Sequence, residues 1–102
     1  MAVHVLDGGV PSPLRRLADD YLISCSARGL SPRSLDQYTY ALDHVFLPWC
    51  EGQGITRLEE LDRRALDRFT AGLLQRPSAR GGTLSRHSVH TYVRPVRLLL
   101  AW

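Results

Sequence analysis

The sequence predicts an all-α fold of four helices, and three observations support this prediction. Apolar residues recur at helical spacing in four segments, near residues 13–28, 31–47, 62–76 and 85–102. Each segment begins at or just after a serine or an aspartate, which are residue types that cap helix N-termini. No stretch of strand length alternates apolar and polar residues. The 102 residues, 44% of them hydrophobic, suffice for one domain with a buried core.

The first helix is predicted to begin at Ser12-Pro13, with the serine as N-cap and the proline at the first helical position. Gly29 is expected to end it. Its predicted core face consists of Leu14, Leu17, Ala18, Tyr21, Leu22 and Cys25. Residues 1–11, interrupted by glycines and a proline, are expected to form a flexible lead, so that the helical domain covers residues 12–102.

The second helix is predicted to begin in the same way, with Ser31 as N-cap and Pro32 behind it. Pro48 is expected to end or bend this helix near Phe46–Leu47, because proline lacks the backbone N–H and its ring clashes with the preceding turn. The apolar stripe consists of Leu35, Tyr38, Leu42, Val45, Phe46 and Trp49.

The third and fourth helices are predicted to start at Asp62 and Ser85. Pro77 closes the third, whereas Pro95 lies inside the fourth, where a kink is expected because the apolar period continues beyond it. The residues predicted to be buried together in the core are Leu22, Leu35, Leu42, Phe46, Phe69, Leu73, Val89, Val93 and Val96.

Charge is distributed unevenly along the chain. Residues 1–62 hold five arginines and nine acids, a balance of −4, whereas residues 63–102 hold eight arginines and only Asp67 as an acid, a balance of +7. All 13 basic residues are arginine, which codon bias would also explain, but such a bias does not explain the missing acids after Asp67. Guanidinium groups match phosphate oxygens, so the C-terminal part is expected to bind a polyanion.

Two cysteines, Cys25 and Cys50, are too few for a disulfide framework, and no Cys-x-x-Cys pair is present for a zinc ribbon. The N-terminus has no charged start followed by an apolar run, so neither a signal peptide nor a membrane span is expected. These features predict a reduced, cytoplasmic protein. No metal or cofactor is expected, since His87 and His90 lack a third ligand and the glycine-rich "RGGTLS" lacks the Gly-Lys-Ser/Thr of a phosphate loop.

One phrase occurs twice: "LSPRSLDQY" at residues 30–38 and "LSRHSVHTY" at residues 84–92. Each copy places a leucine before a serine cap, then a polar first turn, then the first core residue, as in a hydrophobic staple. On a structural interpretation the phrase marks only two well-capped helices. On a functional interpretation, the polar first turns carry donors and small hydroxyls for phosphates and base edges, and helix N-termini favour phosphate.

These segments resemble the N-terminal core-binding domain of the tyrosine recombinases, the phage-integrase family, over about residues 12–102. The resemblance is carried by "YLISCSARGLSPRSLDQYTYALDHVFLPW", "GITRLEELDRRALDRFTAGLL" and "LSRHSVHTYVRPVRLLLAW". In that family a Gly-Leu-Ser-x-x-Thr/Ser phrase opens the second helix and a similar phrase opens the fourth. The resemblance implies a four-helix SAM-like bundle of the integrase core-binding type, with the second and fourth helices near the major groove of duplex DNA.

Carried over by position, the resemblance implies a set of DNA contacts from the two helix starts. These are Arg33, Ser34 and Gln37 from the second helix, and Arg86, His87, Ser88, His90, Thr91 and Arg94 from the fourth. Pro95, inside the fourth helix, is a departure from the family pattern. It is expected to affect the direction in which the Arg97 side chain points.

The family cleaves DNA with a tyrosine nucleophile, an arginine and a His-x-x-Arg pair in a C-terminal catalytic domain, and no such set is found in this sequence. No catalytic residues are therefore expected here. The chain is expected to be the DNA-binding part of a larger recombinase, because it stops at Trp102 within an apolar helix end.

The resemblance implies that the expected role is to clamp and orient duplex DNA for strand exchange. The expected partners are duplex DNA, the parent's own catalytic domain and other protomers on the recombination site, with no membrane. Two alternatives stay open: a SAM-type module that binds an acidic protein, and a small stand-alone DNA-binding regulator.

Overall fold

The computed structural model describes residues 11–78 and 81–102. The lead predicted over residues 1–11 lies outside this range except for Pro11. In chain order the helices are α1 (Pro13–Ala27), α2 (Pro32–Thr39), a π-helical segment (Tyr40–Phe46), α3 (Leu47–Gly52), α4 (Arg63–Leu74) and α5 (Arg86–Ala101). A short 3-10 turn, Leu58–Glu60, precedes α4.

The helix caps form as the sequence predicts. Ser12 accepts a hydrogen bond from the Arg15 N–H, and Asp62 accepts one from the Ala65 N–H at 2.8 Å. Such bonds satisfy N–H groups that the first turn of a helix leaves without a partner. Gly29, with φ of +88°, follows the end of α1 in a conformation that costs other residues energy. The starts of α1 and α4 and the end of α1 are therefore determined by residues close by in the sequence.

Helices α2 and α3 and the π segment between them form one continuous rod over residues 32–52, the long helix. Pro48 is expected to end or bend this helix near Phe46–Leu47. The helix does not end there but continues to Gly52, and a bend at this point stays a prediction. In the π segment the Leu47 N–H donates to the carbonyl of Leu42, five residues back. This wider turn relieves the clash that the ring of Pro48 would make in a regular α-helix.

Counting the long helix as one, the described residues form four helices in a compact globule and contain no β-strand, so the predicted all-α class is confirmed. Pro77 and Thr83 make one isolated bridge in the loop before α5. The loop before α4 is tied to the start of α1, where the Leu14 N–H donates to the Thr56 carbonyl at 2.9 Å. Helix α5 runs through Pro95 as predicted, and a kink there stays a prediction.

The core lies where the long helix packs against α1, α4 and α5, and its most extensive helix–helix packing joins the π segment to α5. Seven of the predicted core residues are buried in one cluster: Leu42, Phe46, Phe69, Leu73, Val89, Val93 and Val96. The prediction is wrong for Leu22 and Leu35, which are half-buried and pack against the edge of that cluster. Leu22 lies at the edge of the α1 stripe, and Leu35 lies in the first turn of α2.

Candidate nucleic-acid interface

The two copies of the repeated phrase fold into the same local structure. In the first copy, the Ser31 hydroxyl accepts from the Ser34 N–H at 3.2 Å and donates to the Ser34 hydroxyl at 3.0 Å. In the second, Ser85 accepts from the Ser88 N–H at 3.1 Å and donates to the Ser88 hydroxyl at 3.2 Å. The repeat is thus a Ser-x-x-Ser cap, in which a second serine takes the place that glutamate or glutamine has in a capping box.

This geometry gives Ser34 and Ser88 a structural role that the sequence-based prediction did not include. Both were expected to contact DNA, yet both are half-buried and both hydroxyls are engaged by the preceding cap serine. Each of these two hydroxyls accepts from the cap serine and can still donate its own proton. A contact with a DNA phosphate would therefore be made in addition to the cap hydrogen bond. The structural interpretation of the repeat therefore applies to its serines, and the functional interpretation applies to the other polar residues of the two first turns.

Ser31→Ala and Ser85→Ala are each expected to lower the free energy of unfolding by about 1 kcal/mol, since each leaves an N–H of the first helical turn without its partner. Denaturant melts measure this loss. Ser26→Ala is the matched control, because Ser26 is exposed inside α1, where alanine is the better helix former. A loss as large for Ser26→Ala as for the cap variants would contradict the capping role.

The second helix exposes Arg33 and Gln37, both predicted DNA contacts. Tyr40 and His44 are exposed too. Tyr40 lies three residues after Gln37 and His44 lies four residues after Tyr40, so both continue the same helical face. This face is not purely basic, because Asp36 is exposed one residue before Gln37. The positive charge of the candidate interface therefore comes chiefly from α5.

On α5 the structure exposes Arg86, His87, His90 and Arg94, all four of them predicted contacts. Thr91, also predicted, is half-buried, and its hydroxyl donates to the His87 carbonyl at 3.0 Å. Half-burial leaves part of this side chain at the surface. The valines of α5 and Leu99 are buried in the core, whereas the arginines and histidines lie on its exposed arc; Leu98 is an apolar residue of this helix that is also exposed.

Arg86 and His90 also line a cleft of about 210 Å³ between α4 and α5, together with Arg97. The floor of this cleft is apolar, and Thr70 and Leu74 form its α4 wall. Arg97 was not among the predicted contacts, although its position eleven residues after Arg86 places it on the same helical face. No second-helix residue lines the cleft, so the predicted contacts fall on two adjoining surfaces.

The two surfaces meet through aromatic rings. Tyr40 of the long helix lies 6.1 Å from Tyr92 of α5, measured between ring centroids. Tyr92 is the last residue of the second copy of the phrase, so the repeat itself supplies a contact between the helices. This pairing could not be predicted from the sequence, because Tyr92 fits the apolar stripe of the fourth helix whereas Tyr40 lies outside the stripe of the second.

Within residues 11–78 and 81–102, the exposed arginines of α5 make no ion pair. The ion pairs found in this part of the chain join buried Arg15 to Asp43 and Glu51. Unpaired guanidinium groups in an acid-free stretch leave their positive potential available to an anionic partner. The electrostatics of α5 therefore favour a polyanion.

The residues described here contain no cluster of three or more side chains suited to hold a metal ion. In the same residues, no helix combines the length and the apolar character needed to cross a membrane. Burial raises the pKa of the Cys50 thiol to about 12. This thiol is buried in the core and is held in its neutral form.

Comparison with known proteins finds no matching family model, no matching curated protein and no matching solved structure.

Proposed function

We propose that this chain is a DNA-binding domain, of the SAM-like core-binding type found in tyrosine recombinases, that clamps duplex DNA through the outer faces of α5 and the long helix. The observation that carries the proposal is the exposed arc of α5 formed by Arg86, His87, His90, Arg94 and Arg97, whose arginines make no ion pair within the described residues. Guanidinium groups match the paired oxygens of phosphate, as they also match those of a carboxylate, and the helix N-termini on this surface add to the attraction for phosphate.

The arrangement of the two capped helices supports a duplex as the ligand. Arg33 and Arg86 lie in the first turns of α2 and α5, where the helix dipole adds to the attraction for phosphate. Gln37 and Thr91 lie one turn further along, with amide and hydroxyl groups suited to base edges. Such a division, in which arginines position the duplex and polar side chains read it, is usual in protein–DNA interfaces.

In a recombinase, this domain would act with a catalytic domain that carries the tyrosine nucleophile, and with other protomers on the same site. The binding surface proposed here needs neither of them for its contact with DNA. The proposal for the DNA contact can therefore be tested on the chain as it stands.

Titration of the chain with duplex DNA over a range of salt concentrations is expected to show weak, salt-sensitive binding. If about four arginines contact phosphate, the slope of log K against log salt is roughly −4. Fluorescence anisotropy with labelled duplexes measures this slope. A slope near zero, or no binding at low salt, would favour the module that binds an acidic protein.

Single-site variants locate the contact. Arg33→Ala, Arg86→Ala and Arg94→Ala are each expected to weaken binding and to reduce the salt slope by about 1, while stability stays within about 0.5 kcal/mol of the parent. Gln37→Ala and Thr91→Ala are expected to change preference among sequences more than overall affinity.

Arg16→Ala on α1 is the matched control for the arginine variants, since Arg16 is exposed but belongs to the acidic part of the sequence. Unchanged affinity in all three arginine variants would reduce the repeat to helix capping.

A further inference from the structure

The π segment begins at an exposed aromatic residue. The Tyr40 side chain is 49% exposed although it lies at the junction of the two principal helices of the interface. Its ring stacks on the His44 imidazole, with 5.3 Å between centroids and 26° between planes, and lies beside the Tyr92 ring at 37°. The described surface thus includes a cluster of three rings, in which Tyr40 and His44 are exposed and Tyr92 is half-buried.

The surrounding structure orients the Tyr40 ring before any ligand arrives. His44 comes from the same π segment and Tyr92 from α5, so two elements hold the ring. A ring held in this way loses little conformational entropy on binding, which favours affinity. Local π-helical geometry is itself frequent at functional sites, because it re-aims side chains that a regular helix would direct elsewhere.

Tyr40 also lies in line with the polar groups of the proposed DNA surface. Arg33, Gln37, Tyr40 and His44 follow one another at spacings of four, three and four residues along one face of the long helix. Arg33 lies seven residues before Tyr40, about two turns along this face, and Asp36 is exposed between them. A nucleobase platform combines a flat aromatic surface with a cation for a neighbouring phosphate, and Tyr40 and Arg33 supply these two groups.

We propose that Tyr40, held in place by His44 and Tyr92, is a stacking site for an unpaired nucleobase of DNA. This inference rests on the proposed function, in that DNA is the ligand of the same surface, and adds that the surface engages locally unpaired DNA more tightly than intact duplex. Stacking tolerates any base, since every base has a π face, so the site contributes preference for unpaired structure and not for sequence.

The test compares two labelled DNAs of identical sequence length: an intact duplex, and the same duplex with a short central bubble of unpaired bases. The parent chain is expected to bind the bubble more tightly. Tyr40→Ala is expected to weaken binding to the bubble by about ten- to a hundredfold, the loss that removal of one base-stacking aromatic produces. The loss on the intact duplex is expected to be clearly smaller than the loss on the bubble, because paired bases offer no free face for stacking on the ring.

Two further variants make the result specific to the ring. Tyr40→Phe keeps the stacking surface and is expected to retain the bubble preference. Trp102→Ala removes an aromatic side chain that is 53% exposed but outside the cluster, and is expected to leave both affinities unchanged. Tyr40→Trp supplies a direct readout, because a base stacked on the indole would quench its fluorescence.

Several outcomes would overturn the proposal. They are equal binding of bubble and duplex by the parent, an equal loss on both DNAs in Tyr40→Ala, or a loss in Tyr40→Phe as large as in Tyr40→Ala. A loss confined to intact duplexes would instead assign Tyr40 to thymine methyl contacts in the groove. If Arg86→Ala weakens duplex binding but the parent shows no preference for the bubble, the DNA-binding function is supported and the stacking site at Tyr40 is not. Absence of binding to either DNA would remove both proposals.

Discussion

Replacing Phe69 with alanine is expected to lower the free energy of unfolding by about 3–5 kcal/mol, the range observed when a buried phenylalanine is truncated. Phe69 of α4 is only 2% exposed. Its ring meets Phe46 edge-on at 5.1 Å between centroids and lies 5.4 Å from the Trp49 ring. Alanine would remove both aromatic contacts and leave a cavity between α4 and the long helix, which the rigid helices cannot close fully.

Denaturant unfolding measures this loss, and the fluorescence of Trp49 reports it directly because the indole touches the substituted ring. Leu74→Ala on the same helix is the matched control. Leu74 is 43% exposed, so its truncation is expected to cost no more than about 1 kcal/mol. A loss below about 1 kcal/mol for Phe69→Ala would show that the contact between α4 and the long helix is peripheral to stability.

The fold class could be predicted because its determinants are local. Serine and aspartate caps, together with apolar residues at helical spacing, set where α1, α4 and α5 begin and which faces they bury. The continuation past Pro48 could not be predicted from the same signals. It depends on the π turn, and no residue type marks such a turn in advance.

The candidate site was only partly predictable for a related reason. Exposure of Arg33, Gln37, Arg86 and Arg94 follows from helical periodicity, and the structure agrees. The contact between Tyr40 and Tyr92 depends on how two helices pack across 52 residues of sequence. The assignment of all nine predicted residues to DNA contact stays a prediction, because their positions are known and their ligand is inferred.

Arg15 is a residue of the core whose contacts could not be predicted from the sequence. The sequence pattern of α1 places it beside Leu14 as an ordinary polar residue, yet it is 8% exposed. Its guanidinium lies 3.4 Å from Glu51 and 3.8 Å from Asp43, both on the long helix. These acids are distant in sequence, so only the packing of α1 against the long helix reveals the ion pairs.

Arg15→Ala is therefore expected to lower the free energy of unfolding by about 2–3 kcal/mol, because it removes the guanidinium that faces the half-buried carboxylate of Asp43 and breaks the contact with Glu51. The expected loss lies below that of a fully buried pair, since both carboxylate side chains are 24% exposed. Arg15→Met, which keeps the aliphatic stem packed, separates charge from packing and is expected to lose nearly as much. Arg16→Ala, one residue away and exposed, is the control and is expected to change stability little.

The pH dependence of the stability of Arg15→Ala shows whether lost charge or lost packing causes its destabilisation. Burial and then the charge of Asp19 raise the pKa of Asp43 above its ordinary value of 3.8, while Arg15 lowers it. With a raised pKa the folded state holds the proton more tightly than the unfolded state, so stability falls as pH rises from about 4 through the folded pKa. Removal of Arg15 raises that pKa further and widens this window. The destabilisation by Arg15→Ala is therefore expected to be larger at neutral pH than at about pH 4, where Asp43 takes up its proton. An equal loss at both pH values would attribute the role of Arg15 to packing alone.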